Sequence, residues 1–231
     1  MPPRLVLTDI EGTTTAIAFV HRTLFPFIAE ALEEFIALHQ GVPEVAAVLA
    51  DVRMAAPGQA PLETLRGWMA ADAKVTPLKA LQGIMWRQGY ADGRLRGHLW
   101  PDVAPALRAW HAAGTRLAVY SSGSEEAQRL LFGFSEAGDL APLFEGFFDT
   151  RMGMKREVAS YTAIAAALGL TTGDILFLSD VAEELDAASQ AGMACCQLVR
   201  PEDGTQPSAR HRQARDFAAV ARDFALPLPP G

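Results

Sequence analysis

The chain is predicted to fold as an α/β protein, a Rossmann-like parallel sheet carrying an inserted all-helical cap. Three observations predict it. A short apolar run, Leu5 to Thr8, ends in a polar, Gly-containing turn and reads as a buried strand followed by a site loop. Beyond Gly97, strand and helix patterns alternate, which requires right-handed crossovers and a parallel sheet covered on both faces. Between these regions lie four apolar stripes at helical spacing. The core is thus assigned to residues 1–20 and 98–231, and the cap to residues 21–97, inserted after the first strand.

The first strand runs into Asp9-Ile10-Glu11-Gly12-Thr13-Thr14-Thr15. The cap stripes are Ile28, Leu32, Phe35 and Ile36, then Val45, Val48, Leu49 and Val52, then Leu62, Leu65, Trp68 and Met69. The fourth carries Leu81, Ile84 and Met85 in a helix opened by Thr76 as cap before a first-turn Pro77. Asp102 is placed to cap a helix whose apolar face is Val103, Leu107 and Trp110, ended by Gly114 before the strand Arg116 to Ser121. A Gly-containing turn and a helix from Glu125 follow. Gly146 to Phe148 reads as a short strand, and Glu157 to Leu168 as a helix stopped by Gly169. Ile175 to Ser179 is a strand, Ala182 to Ala191 a helix, and Ala194 to Val199 the last strand. After Pro201, the residues Arg210, Arg212, Arg215 and Arg222 read as a solvated surface.

At 231 residues the chain is one large domain or one domain with an insertion, on a prior of about 150 residues per domain. With 50% apolar and 20% charged residues, neither disorder nor a disulfide scaffold is compatible with it. Lys plus Arg number 20 against 27 Asp plus Glu, a formal charge of -7, so neither nucleic acid nor an anionic membrane is an expected partner. The adjacent Cys195 and Cys196 form neither a disulfide framework nor a zinc-spaced set, and as reduced thiols they fit a cytoplasmic protein. No stretch approaches the ~18 apolar residues of a membrane span, and no secretion signal is visible. A monomer is the expected state.

In open α/β sheets ligands bind outside the carboxyl ends of the strands. Those ends hold Asp9, Glu11, Ser121, Ser122 and Asp180. Taken singly, Asp9 and Glu11 are ordinary solvated turn residues, and Ser121, Ser124 and Asp180 are ordinary helix caps. Taken together they converge, and converging carboxylates repel unless a cation lies among them, for which a hard, oxygen-liking ion such as Mg2+ is suited. A lone Lys is most often a surface charge, and Arg156 beside Lys155 favours that reading. Yet Lys155 lies between a strand and a helix on the acids' own edge, where an ammonium offsets carboxylates and holds a phosphate. Gly123 lets backbone approach a ligand, and the helix from Glu125 points free N–H groups at an anion. His21, close after the motif loop, reads as a surface or packing residue.

Asp9-Ile10-Glu11-Gly12-Thr13, Tyr120-Ser121-Ser122-Gly123-Ser124, Lys155 and Leu178-Ser179-Asp180 resemble the four motifs of the haloacid dehalogenase superfamily of phosphohydrolases. Most phosphatases of that superfamily carry Asp two residues after the nucleophile, where this chain has Glu11. That difference, with Phe25-Pro26 and Ser121 to Gln128, resembles the enolase-phosphatase branch of methionine salvage. The resemblance implies a small phosphate ester as partner, with Asp9 as nucleophile and Glu11 as general acid and base. It also implies phosphate binding by Ser121, Ser122 and Lys155, and one Mg2+ held by Asp9, Glu11 and Asp180, Glu11 through its backbone carbonyl. The implied substrate is 2,3-diketo-5-methylthiopentyl 1-phosphate, enolised and then dephosphorylated to an acireductone under a closing cap. Two competing readings are a sugar-phosphate phosphatase or phosphomutase of the same superfamily, and a receiver-like switch phosphorylated on its Asp. A dehalogenase is weaker, having no use for Mg2+ or a second acid.

Overall fold

The computed structural model describes residues 2–71, 73 and 75–228. The chain divides into two compact units, Met1–Ala18 with Arg96–Gly231, and Phe19–Leu95.

The first unit is built on a six-stranded parallel sheet of β1 (Leu5–Thr8), β2 (Arg116–Tyr120), β3 (Gly146–Phe148), β4 (Ile175–Ser179), β5 (Ala194–Leu198) and β6 (Arg212–Ala214), in the order β3-β2-β1-β4-β5-β6. Leu5 of β1 pairs with Arg116 on one side and Ile175 on the other, so β1 is central and fully buried, as its unbroken apolar run requires. The strand order reverses between β1 and β4, the place where such sheets open a crevice for ligands. The α/β fold and parallel sheet are those the sequence predicts. β6 is an addition, because the tail after Pro201 contributes a sheet-edge strand of three residues.

Between β1 and β2 the chain is helical: α1 (Ile17–Phe19), a π-turn at Val20–Leu24, α2 (Phe25–His39), α3 (Pro43–Ala55), α4 (Pro61–Ala70) and α5 (Thr76–Ala91). The Phe19–Leu95 unit has its own core, in which Ile28, Leu32 and Phe35 of α2 meet Val45, Leu49 and Val52 of α3, Leu65 of α4, and Leu81 and Met85 of α5. Thr76 does not cap α5. Val75 holds the cap position in extended backbone, and its carbonyl takes the Lys79 N–H at 3.1 Å, the donor that a Thr76 cap would need.

The remaining helices are α6 (Val103–Ala112), α7 (Glu125–Gly133), α8 (Val158–Ala167), α9 (Ala182–Gln190) and α10 (Phe217–Asp223). Leu5, Leu7, Ala118, Tyr120, Ile175 and Phe177 face Tyr161 and Ile164 of α8 and Leu185 and Ala188 of α9. Trp110 of α6 stacks on Phe217 of α10 at 5.3 Å between ring centroids. Asp102 precedes α6 without capping it: its carboxylate is taken by a two-pronged pair with Arg200, at 3.0 Å on each oxygen, and by the Phe217 N–H at 2.8 Å. A two-pronged pair with a cationic guanidinium outcompetes a single cap bond from a backbone N–H. Among the described residues, no single helix is long and apolar enough to cross a membrane.

Candidate active site

Asp9 follows directly from β1, and its N–H is held by Leu178 O of β4 at 2.8 Å, so the nucleophile candidate is fixed to the rigid sheet. The next turn closes on itself. The N–H groups of Thr13, Thr14 and Thr15 all donate to Ile10 O, at 3.2, 2.9 and 3.0 Å, and Gly12 N–H donates to Thr15 O at 2.8 Å. Glu11 is exposed on this turn.

Lys155 is not a surface charge. It is 7% exposed, and its Nζ lies 2.6 Å from Asp9 Oδ1 and 2.6 Å from Glu184 Oε2. Glu184 in turn accepts from Ser179 Oγ at 2.9 Å. Burial works against the ammonium, but the Asp9 and Glu184 carboxylates outweigh it and hold the Lys155 pKa above its ordinary value. Burial, followed by the charge of Asp9, raises the Glu184 carboxyl, with Lys155 opposing the rise.

Asp180 stands at the end of β4, its carbonyl held by Gln197 Nε2 at 2.9 Å. Its carboxyl is pushed up to about 7 by burial and by the neighbouring Asp9 charge, and its buried Oδ1 has no hydrogen-bond partner. A buried carboxylate oxygen without a donor, beside a second carboxylate, is the donor chemistry of a hard cation. Among the described residues no three His, Cys, Asp or Glu side chains are grouped to hold a metal. The side chains whose chemistry fits such an ion are the Asp9 and Asp180 carboxylates.

On the neighbouring strand end, Ser121 is buried and accepts the Gly123 N–H on Oγ at 3.3 Å, while Ser122 is exposed. Ser124 caps α7 through the Ala127 N–H at 3.3 Å. Gln128 Nε2 ties this loop down, donating to Gly123 O and Phe148 O at 2.8 Å each. The structure thus puts Asp9 and Lys155 in contact, sets Asp180 beside them, and leaves Glu11 and Ser122 exposed on the same strand-end edge. His21 is exposed and lies 6.0 Å from Phe25 between ring centroids. Burial raises the two thiols, Cys195 and Cys196, to about 12 each, which favours the protonated form.

A family model described as haloacid dehalogenase-like hydrolase matches residues 3–192. The chain is 57% identical over 229 residues to the enolase-phosphatase E1 of Granulibacter bethesdensis, covering 99% of each chain. It is likewise 57% identical to that of Acidiphilium cryptum, over 98% of each. The chain belongs to the enolase-phosphatase family of haloacid dehalogenase-like hydrolases. As a family member it is a phosphatase enzyme. Among solved structures, the UTR4 protein of Saccharomyces cerevisiae superposes with a TM-score of 0.81 at 30% identity, covering 93% of this chain and 98% of that one. CbbY of Rhodobacter sphaeroides, solved with phosphate, shares the fold at a TM-score of 0.63 and 21% identity, covering 97% of this chain and 100% of that one.

Two charged residues at this enolase-phosphatase site escape the sequence reading. Glu184 sits on the buried stripe of α9 with Leu185 and Ala188, and an acid on an apolar stripe is a signal that a partner lies opposite. Arg200, 4% exposed just past β5, donates to Thr13 O through Nε at 3.3 Å and Nη2 at 3.0 Å, bracing the turn that follows Asp9.

Proposed function

We propose that this enzyme converts 2,3-diketo-5-methylthiopentyl 1-phosphate to 1,2-dihydroxy-3-keto-5-methylthiopentene and phosphate, as a Mg2+-dependent enolase and phosphatase of methionine salvage. The observation that carries this reading is the buried Lys155 ammonium bound to Asp9 at the sheet's ligand-binding edge, in a chain whose second motif acid is Glu11. The Asp9 and Asp180 carboxylates and the Glu11 carbonyl would hold Mg2+, which when bound neutralises the phosphoryl oxygens as a Lewis acid. The helical insertion Phe19–Leu95 is assigned the role of cap.

Lys155 engages Asp9 Oδ1, so Oδ2 is the oxygen assigned to in-line attack on phosphorus. Attack forms the Asp9 acyl phosphate as the bond from phosphorus to the substrate oxygen breaks, and Glu11 donates the proton that the leaving oxygen needs. The same carboxylate then takes a proton from water as it hydrolyses the acyl phosphate, releasing phosphate and restoring Asp9. Ser121, Ser122 and Lys155 hold the phosphoryl group throughout. Enolisation precedes this step: a base removes a C1 proton, which the adjacent diketone acidifies, and the C2 oxygen takes a proton from solvent water. Glu11 is the assigned base.

The test is incubation of the purified protein with the diketone phosphate and Mg2+, following enol absorbance and free phosphate together. Both signals should rise, and chelation should stop them. Faster phosphate release from a panel of sugar phosphates than from the diketone would replace this substrate.

A further inference from the structure

Three hydroxyl groups grip three successive carbonyl oxygens in the turn that carries Lys155. Tyr120 Oη donates to Gly153 O at 2.9 Å, Ser160 Oγ to Met154 O at 2.8 Å, and Tyr161 Oη to Lys155 O at 2.6 Å. All three side chains are fully buried, Tyr120 at the end of β2 and the other two in the first turn of α8. The turn they hold lies between the short helix Thr150–Met152 and α8, outside any regular element. Gly153 has φ +122°, and a Cβ there would strike Ser160 Oγ, so the turn is pressed onto its clamp without slack.

We propose that Tyr120, Ser160 and Tyr161 are positioning residues that set where the Lys155 ammonium meets the substrate's phosphoryl group. The inference rests on Lys155 being a phosphate ligand, as read above. A lysine stem is flexible and of fixed length, so the place of its ammonium depends on where its own backbone is anchored. At the far end Nζ is shared between Asp9 and Glu184 at 2.6 Å each, and a shift of the turn would lengthen both contacts. Tyr120 acts twice, since its ring also lies 5.9 Å from Nζ. Burial raises the pKa of both tyrosines, so each hydroxyl keeps its proton and remains a donor. These hydroxyls spend their protons on the backbone carbonyls of Gly153, Met154 and Lys155. Their effect on the reaction passes through Lys155.

The experiment is a double-mutant cycle on Mg2+-loaded enzyme, with inorganic phosphate as the probe. Dissociation constants for phosphate are measured by calorimetry for wild type, Tyr161→Phe, Tyr120→Phe and Ser160→Ala, and for each in a Lys155→Ala background, with melting temperatures alongside. Tyr161→Phe should weaken phosphate about threefold to tenfold, the loss of one hydrogen bond at a positioned charge. In the Lys155→Ala background it should weaken phosphate no further. An equal weakening in both backgrounds overturns the proposal, and so does unchanged affinity in all three variants with only the melting temperature lowered. Tyr120→Phe and Ser160→Ala carry the same test if Tyr161→Phe fails to fold. A wild type that binds no phosphate would overturn the inference together with the role of Lys155, whereas an intact cycle in an enzyme inert toward the diketone would overturn only the substrate.

Discussion

Gly12 and Asp180 are packed with no room between them: a Cβ built on Gly12 would lie 2.5 Å from Asp180 Cγ, inside its carboxylate. Gly12 also has φ +73°, a conformation that costs an L-residue about 1–2 kcal/mol. Gly12→Ala should therefore do two things. It should lower the melting temperature by about 2–8 °C, and it should push the Asp180 carboxylate away from Asp9, cutting phosphate release at least about tenfold. Thermal melts and steady-state rates check both, and a variant with normal turnover would mean that Asp180 has freedom the packing denies it.

Glu184 shares the Lys155 ammonium with Asp9 and is itself held by Ser179. Glu184→Gln keeps the shape and an oxygen to accept from Ser179 but removes one of the two charges that offset Lys155. The ammonium should then lean on Asp9 alone, making Asp9 a weaker nucleophile, and the rate of phosphate release should fall about tenfold at a stability cost of about 1–3 kcal/mol. A denaturant titration beside the kinetics separates the two effects. Loss of stability without loss of rate would make Glu184 a packing residue.

The Asp180 carboxyl, raised to about 7 by burial and then by Asp9, gives a pH dependence whose sign is fixed. An acid lifted from its ordinary value of about 3.9 is a liability to the fold above its folded pKa, and the penalty fades as pH falls from 7 toward 4. At pH 8 it amounts to at most about 4 kcal/mol, by the conversion of about 1.4 kcal/mol per pKa unit. In chelated protein, Asp180→Asn should raise the melting temperature at pH 8 and raise it progressively less toward pH 5. Added Mg2+, which offsets the same charge, should stabilise wild type more at pH 8 than at pH 5.5 and should not stabilise the variant. Equal stabilisation at both pH values would place the cation elsewhere.

The strands were legible because each is a short apolar run that a buried parallel strand requires: Leu5–Thr8, Gly146–Phe148 and Ile175–Ser179 stand where the pattern puts them. β6 was not, because Arg212 and Gln213 are exposed and its pairing with β5 comes from tertiary context rather than from an apolar run. The cap assignments at Thr76 and Asp102 failed for different reasons: the helix begins one residue earlier, with the Val75 carbonyl already taking the Lys79 N–H, whereas the Asp102 carboxylate is claimed by the sequence-distant Arg200 guanidinium. At the site, the convergence of strand ends pointed to Asp9, Asp180 and Lys155. Glu184 and Arg200 escaped because a charged residue is read as surface by default, and only the helix stripe around Glu184 carried a contrary signal.

Glu11 distinguishes the two chemical steps assigned to one site. It stands exposed on the turn after Asp9, a turn whose backbone is locked onto Ile10 O, so its reach is set by the length of its own side chain. If one carboxylate both protonates the leaving oxygen and removes the C1 proton, Glu11→Gln should lose both steps, each by about 10²–10⁴-fold as for other general acids and bases. Glu11→Asp is the sharper variant. Its carboxylate, one methylene shorter, still reaches the bridging oxygen but reaches C1 less well, so phosphate release from simple esters should survive better than enolisation. Solvent deuterium exchange at C1 of a non-hydrolysable phosphonate analogue reads enolisation alone, and free phosphate reads hydrolysis. Exchange at the wild-type rate in Glu11→Gln would show that another group is the enolisation base and would confine Glu11 to the phosphoryl step.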